Sequence, residues 1–351
     1  MSDAWPDAGS ALLIVVPCLN EERHLPGLLA QLRRESPEAL IVVADGGSRD
    51  RSRDIVAGCA AADPGVVLLD NPERIQSAGI NRAVAAHAAG RDWLLRIDAH
   101  CDYPPGYAAG LLAAARQRDA TSVVVPLVSC GQIVGIRGCF QRAAAAAQNS
   151  VLGSGGSPHR QLGQGHIGEG RFVDHGHHAL MRLDLFRSVG GYRQDMSHNE
   201  DAELDLRLAA AGGRIWLEPA LAVTYYPRAD AAGLWRQYLG YGSGRARTLM
   251  LHRRRPKLRQ IVPLAIPAAV VLALLAPFAP SFLAPLLAVP LLAWATLALG
   301  AGLVIGRRAG GGCALLCGVP AMIAHLAWGL GFLRGLAHPL PRRKPDQAIG
   351  V

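Results

Sequence analysis

From Ile261 to Gly306 the chain carries no Asp, Glu, Lys, Arg or His. No other feature restricts the fold as much. An uncharged tract of this length is too long for one core helix and is matched to a bilayer: as a helix, residues 261–279 alone would span about 28 Å at 1.5 Å per residue. The tract divides into residues 261–279 and 282–305, and a third apolar span, 311–333, is rich in glycine and holds His325. Prolines at 263, 267, 277, 285 and 290 can kink such helices without excluding them. Just before the tract, "RARTLMLHRRRPKLR" (245–259) has seven Lys/Arg and no acid, the pattern of a cytoplasmic juxtamembrane segment that attracts anionic head groups. Three spans would put the basic stretch "LAHPLPRRKPDQ" on the far side, against the same charge rule, so a re-entrant or interfacial segment is an alternative to three full crossings.

The formal net charge is +9, and much of the excess has that one address. No aromatic residues interleave it as a nucleic-acid face would require, so no nucleic-acid partner is expected. The seven cysteines, at 18, 59, 101, 130, 139, 313 and 317, are odd in number and include no CxxC pair. They do not read as a disulfide framework and fit a reducing compartment. The first ten residues are polar and acidic, and "ALLIVVP" is too short and lacks the basic leader of a signal peptide.

The remaining 250 residues read as an α/β protein. Apolar runs "ALLIVVP", "ALIVVAD", "GVVLLD" and "DWLLRID" alternate with helical segments "EERHLPGLLAQLRRE", "SRDIVAGCAAA" and "AGINRAVAAHAAG". Continuous buried strands separated by helices imply a mostly parallel sheet covered on both faces. Ligands of such sheets sit at the carboxyl ends of the strands. That singles out Asn20 and Glu21, Asp45 and Ser48, Arg74, and Asp98 and His100. Farther on, "SVLGSGGSPHRQLGQGHIGEGRFVDHG" (150–176) reads as a long loop, functional or disordered. "NEDAELDLRLAAAGG" reads as a helix with acids at its start and glycines at its end, as the helix dipole and the C-cap favour.

Each candidate also has an ordinary structural reading. Asp98 and His100, two apart at the end of a strand, would point the same way and could hold a divalent cation, or they could form a strand-end turn. Asp45 before Gly46 and Gly47 could face a ligand or cap a tight turn. Arg74 and Asn81 could be surface residues. Glu200 and Asp201 could compensate the helix dipole or supply a general base. His175, His177 and His178 cluster around Gly176 without the spacing of a zinc site and without an accompanying Cys.

Taken in order, "VVPCLNEE", "VVADGGSRDRS", "GINRAVAAHAAGRDWLLRIDAH", "GGYRQDMSHNEDAELDLRLAAAGGRIW" and "PALAVTYYPR" resemble the family-2 glycosyltransferases of GT-A fold over most of residues 10–250. The resemblance implies a nucleotide-diphospho-sugar transferase fold, with a mostly parallel sheet sandwiched by helices, followed by C-terminal transmembrane helices. It implies that Pro17, Asn20, Glu21, Asp45, Ser48, Arg74, Asn81 and Asp98 bind the donor nucleotide. Asp98 and His100 would hold a divalent cation, Mn²⁺ or Mg²⁺, in a D-x-D motif with His as third member. Asp201, beside Glu200, would be the catalytic base of an inverting reaction. Two departures stand out: Gly46 replaces a second acid, and Gly79 precedes Asn81 where the family has Ala. The Q-x-x-R-W signature of processive members is absent, since Gln237 is followed by Gly240 and Tyr241. Gln237, Arg245 and Arg247 are expected on the acceptor and lipid side.

The expected organisation is a cytosolic catalytic domain over 1–250, a basic linker over 251–260, a membrane domain over 261–335 and a polar tail over 336–351. The expected function is transfer of a hexose from a UDP-sugar to a lipid-linked, polyprenyl-diphosphate saccharide in exopolysaccharide assembly. It would take place at the bacterial plasma membrane, with other polysaccharide-assembly proteins as possible partners. A polyprenyl-phosphate sugar synthase of the same family is the alternative, and a non-enzymatic transport or scaffold protein is the rival outside it. A nucleotidyltransferase is disfavoured, because the first strand is followed by acidic "CLNEE" rather than a basic Gly-rich loop.

Overall fold

The computed structural model describes residues 11–132, 135–157, 160 and 169–340, with the side chains of His178 and Ala179 left out. The acidic N-terminal stretch, much of the 150–176 loop and the last residues of the basic tail lie outside the described residues. In chain order, β1 (Leu12–Cys18), α1 (Leu25–Glu35), β2 (Leu40–Asp45), α2 (Ser52–Ala62), β3 (Val66–Asp70), α3 (Gln76–His87) and β4 (Trp93–Arg96) alternate. Then come β5 (Cys101–Asp102), α4 (Tyr107–Arg118), β6 (Ser122–Val125), β7 (Leu127–Ser129), α5 (Gly135–Gln148), α6 (Val151–Ser154), β8 (Arg171–Phe172) and β9 (His177–Arg182). The chain goes on through α7 (Leu183–Ser188), α8 (Glu200–Ala210), β10 (Ile215–Leu217), β11 (Val223–Tyr225) and α9 (Ala231–Leu251). It ends with α10 (Leu258–Ile261), α11 (Ala265–Leu275), α12 (Ala284–Ala309) and α13 (Gly318–Ala337).

These elements fall into two compact units that interleave along the chain. One holds the described parts of Met1–Pro126 and Ile167–Val223, the other those of Leu127–His166 and Thr224–Arg342. The sequence reading draws a single boundary near residue 250; here α5, α6 and α9 group with the apolar helices.

The first unit is built on a sheet of strand order β3-β2-β1-β4-β9-β6-β10-β8. β3, β2, β1 and β4 run parallel, as do β6 and β10, while β9 runs antiparallel between β4 and β6. Every residue of β1 is buried, which is why its sequence is continuously apolar rather than alternating. In α1, Leu25, Leu28, Leu29 and Leu32 form the buried face, at the i, i+3, i+4, i+7 spacing of an amphipathic helix. α8 starts on Glu200, Asp201 and Glu203 and presents Leu204 and Leu208 to the core. The strand expected to run through Asp98 stops at Arg96. Asp98 and His100 are therefore loop residues, and strand alternation does not orient them.

In the second unit, three segments are long and apolar enough to cross a membrane: Leu258–Phe278, Ala284–Ala309 and Gly312–Ala337. α9 and α13 pack backbone to backbone through small residues. A Cβ on Gly331 would lie 2.1 Å from the Leu239 carbonyl oxygen, and one on Gly242 would lie 2.0 Å from that of Trp328. Small residues of this kind let apolar helices approach where no hydrophobic force drives them together. His325 lies in α13. It makes a 2.7 Å hydrogen bond to the Leu152 carbonyl and meets the Trp294 indole N–H at 3.4 Å, so its polar atoms are used to hold α6 and α12. Cys139 and Cys313 form a disulfide. This corrects the sequence reading of the cysteines, whose spacing gives no sign of a pair 174 residues apart.

Candidate active site

The carboxyl ends of β1 and β2 carry a tightly wired loop cluster. Asp45 ends β2 and is 2% exposed. Its carboxylate accepts hydrogen bonds from the Gly47 and Ser48 N–H groups, from Ser48 Oγ, and at 2.7 Å from Arg53. Burial alone would raise its pKa; Ser48, Arg53 and the two backbone donors outweigh it and hold the group below its usual value. Ser48 Oγ in turn accepts the Asn20 N–H at 2.8 Å, and Asn20 Oδ1 accepts the Arg49 N–H at 2.8 Å. Asn20 and Arg74 both adopt positive φ, 59° each, and the Arg74 guanidinium lies over Gly47. Pro17 is within β1 and pairs in register with Ala44. Pro17, Asn20, Asp45, Ser48 and Arg74 are thus drawn to one sheet edge. Asp45 spends much of its hydrogen-bonding capacity on its own turn.

Glu21 links this cluster to the loop after β4. One carboxylate oxygen meets His24 Nδ1 at 2.7 Å and the other meets His100 Nδ1 at 3.1 Å. Burial raises the Glu21 pKa, and the two histidines reverse the shift, so the group sits below its ordinary value. Asp98 lies two residues from His100, its backbone N–H donating to Tyr103 Oη at 2.8 Å and its carboxylate accepting from Arg96 Nε at 3.2 Å.

Arg96, the last residue of β4, organises the centre of the site. It is 5% exposed, and its guanidinium divides among three partners. Nε donates to Asp98, Nη1 donates to Asp201 Oδ1, and Nη2 donates to Gln76 Oε1 at 2.8 Å. Glu200 lies 3.7 Å from Nη1. Asp201 Oδ1 also accepts from the Tyr192 hydroxyl at 3.0 Å, and Asp201 Oδ2 lies 3.4 Å from His177 Nδ1. The two neighbouring acids are consequently driven apart. Burial and the charge of Asp201 push Glu200 up to about 8. Burial also acts to raise Asp201, but Arg96 and then His177 overcome it and hold the carboxyl far below its usual value.

Asn81 is buried on α3 and does not face the loop cluster. Its amide donates to the Tyr192 carbonyl at 2.8 Å and accepts the Tyr192 N–H at 2.9 Å, so it fixes the residue whose hydroxyl reaches Asp201. In the second unit, Gln237 on α9 donates to the Tyr225 and Tyr241 hydroxyls at 2.8 and 3.0 Å, and Arg247 Nε donates to the His338 carbonyl. Arg245 is half-buried on the same helix. Sequence reasoning missed Arg96, Tyr192 and Gln76, and it noted His177 only within a histidine cluster, without its partner Asp201. The one available signal was Arg96 itself, a lone charge inside a buried strand, which must find partners.

The family described as Glycosyl transferase family 2 matches residues 13–190. The succinoglycan biosynthesis protein ExoA of Rhizobium meliloti is 48% identical over 328 residues, covering 92% of this chain and 94% of that protein. The polyprenol monophosphomannose synthase of Mycolicibacterium smegmatis is 34% identical over 84 residues, 24% of this chain and 30% of that one. Among solved structures, the mannosyltransferase PcManGT of Pyrobaculum calidifontis, in complex with GDP-Man and Mn²⁺, superposes with a TM-score of 0.55. It is 18% identical and covers 92% of this chain and 90% of its own, a likeness of fold.

Proposed function

Because the chain belongs to glycosyl transferase family 2, we propose that it is a membrane-anchored inverting transferase. It moves a hexose from a UDP-sugar to a lipid-linked, polyprenyl-diphosphate saccharide in exopolysaccharide assembly. The catalytic unit works on the cytoplasmic face of a bacterial plasma membrane. The observation that carries this reading is the setting of Asp201 at the start of α8, beside Glu200, where Arg96, the Tyr192 hydroxyl and His177 converge on its carboxylate. Paired carboxylates pushed to opposite sides of neutrality mark acid–base assignments, and here Asp201 is the one kept ionised. As a base it takes the proton of the acceptor hydroxyl while that oxygen attacks the anomeric carbon from the face opposite the leaving diphosphate. Arg96 and Tyr192 hold Oδ1, which leaves Oδ2 as the oxygen that receives the proton.

Pro17, Asn20, Ser48, Asp45 and Arg74 belong to the donor side, while Asn81 acts on the base through Tyr192. Gln237, Arg245 and Arg247 belong to the acceptor and lipid side. Among the described residues, no group of three His, Cys, Asp or Glu is arranged to hold a metal alone. The chemistry of the pair Asp98 and His100, a carboxylate and an imidazole oriented by Glu21, fits a divalent cation. Asp98 and His100 would hold that cation, which when bound supplies positive charge against the departing diphosphate.

The experiment is a donor panel, with UDP-glucose, UDP-galactose and UDP-N-acetylhexosamines scored by UDP release in Mn²⁺ and in Mg²⁺, and the anomeric configuration of the product read by NMR. One donor turned over with inversion, with Mn²⁺ at least as effective as Mg²⁺, is expected. Retention of configuration, or Mg²⁺ clearly superior, would count against the roles given to Asp201 and His100 respectively. The partial match to a polyprenol monophosphomannose synthase keeps a second reading in view, in which the acceptor is a polyprenyl phosphate. Such an acceptor needs no base, so full turnover by Asp201→Asn on polyprenyl phosphate would favour it.

A further inference from the structure

Asp201 and Asp205 are one helical turn apart on α8 and share a face. Opposite them, as β9 begins, stand His177 and His175. His177 Nδ1 faces Asp201 Oδ2 at 3.4 Å, and His175 Nδ1 faces Asp205 Oδ2 at 2.8 Å. The two rings lie 5.1 Å apart, edge to face. The step of four residues on a helix, about 6 Å, matches the step of two residues on an extended chain, about 6.5 Å. A D-x-x-x-D helix can therefore be read rung for rung by an H-G-H approach to a strand.

The glycine between the histidines is part of this match. Its N–H donates to Asp205 Oδ2 at 3.2 Å, and a Cβ there would lie 2.3 Å from a Val124 methyl. No larger residue could bring this backbone so close to both β6 and α8. Asp205 is 3% exposed. Burial and then the charge of Asp201 push its carboxyl well above the usual carboxylate range, against the pull of Gly176 N–H and His177, with Asp174 adding to the rise.

We propose that His177 is a positioning residue for Asp201. Its Nδ1–H donates to Oδ2 and turns that oxygen toward the acceptor, while the His175–Asp205 rung and Gly176 hold the start of β9 in register with α8. The inference rests on reading Asp201 as the base. The division of labour follows from the groups that face Asp201 from each neighbouring element. Arg96 on β4 and the Tyr192 hydroxyl secure Oδ1, Glu200 is its neighbour on α8, and His177 at the start of β9 faces Oδ2, with His175 beside it against Asp205. With Oδ1 pinned alone, the carboxylate could still turn about its Cβ–Cγ bond; a donor on Oδ2 removes that freedom.

Two measurements on the full-length protein in detergent test this. The first is the imidazole nitrogen spectrum of ¹⁵N-histidine-labelled protein near neutral pH, with His177 assigned by its loss in His177→Gln. Nδ1 should carry a proton in the wild type, and its resonance should move in Asp201→Asn. An unprotonated Nδ1 would overturn the proposal, whatever the activity. The second is steady-state UDP release on the donor found active. His177→Ala should lower kcat by about tenfold to a hundredfold, the equivalent of one hydrogen bond to a charged group, with donor KM within about twofold. His177→Gln, which keeps an N–H donor, should recover most of that loss. An unchanged kcat in His177→Ala would overturn the proposal. So would a loss that His177→Gln does not recover, or one matched by a rise in donor KM. Asp201→Asn run beside these separates the two ideas: full turnover in that variant would end the reading of Asp201 as base while the tautomer result stood.

Discussion

Replacing Arg96 with methionine, which has similar reach and no charge, tests how the centre of the site is held together. Arg96 is buried and shares its three guanidinium nitrogens among Asp98, Asp201 and Gln76. With Glu200 pushed up by burial and by Asp201, the charges left at neutral pH after Arg96→Met are those of Asp98 and Asp201, with no cation between them. Removing one partner of a buried pair costs about 3–5 kcal/mol. For a unit of this size that is a drop of roughly 6–20 °C in Tm, readable by intrinsic fluorescence on heating, since Trp93 and Trp216 report on this unit. The pH dependence carries the sign. In the wild type Asp201 is held below its unfolded pKa, so its contribution is present above that value and is lost only as pH falls through the depressed folded value. Without Arg96, burial acts to raise the folded pKa instead, and the deficit should shrink as the pH is lowered and the acid takes up a proton. Arg96→Lys keeps the charge but not the three-way fork and should recover only part of the loss. A Tm for Arg96→Met equal to wild type, or a deficit that grows on acidification, would refute the reasoning.

Glu200→Gln should flatten the pH dependence of stability. A buried acid whose folded pKa is raised to about 8 makes the fold lose stability as pH climbs from its unfolded value toward 8, and denaturant titrations across that range would show the slope vanish in the variant. Asn81→Ala strips both hydrogen bonds from the buried Tyr192 peptide and should cost about 1–3 kcal/mol for each group left unpaired. Denaturation would register this, with a fall in kcat because the Tyr192 hydroxyl moves with its backbone. Gly331→Ala drives a Cβ into the Leu239 carbonyl and should cost about 1–3 kcal/mol by overpacking. Gly300→Ala, where nothing lies within 4 Å, serves as the control in the same thermal assay.

The parallel half of the sheet was legible because β1, β2 and β4 are buried almost throughout, with β3 half-buried at the edge, and so read as unbroken apolar runs. The rule that ligands sit at the carboxyl edge then pointed to Asp45, Asp98 and His100 without any geometry. What stayed hidden depends on contacts distant in sequence. Arg96 finds Asp201 across 105 residues, and Asn81 finds Tyr192 across 111. Local pattern carries no record of such pairings. His177 was noticed only as a member of a histidine cluster, because its partner sits on a helix whose acids were already explained by the dipole. The strand was read two residues too long because the apolar pattern resumes at Ile97, and the structure ends it where Arg96 turns to its partners. The apolar helices were plain from hydropathy. The grouping of α5 with them was not, since an alanine-rich helix such as "AAAAA" suits a soluble core as well as a bundle.

The central claim is that Asp201 deprotonates the acceptor in a family-2 transfer reaction, and UDP release by wild type and Asp201→Asn with the donor found active tests it most directly. The account predicts that Asp201→Asn binds UDP with an affinity close to wild type and loses most of its turnover. Equal turnover in the two proteins would contradict it.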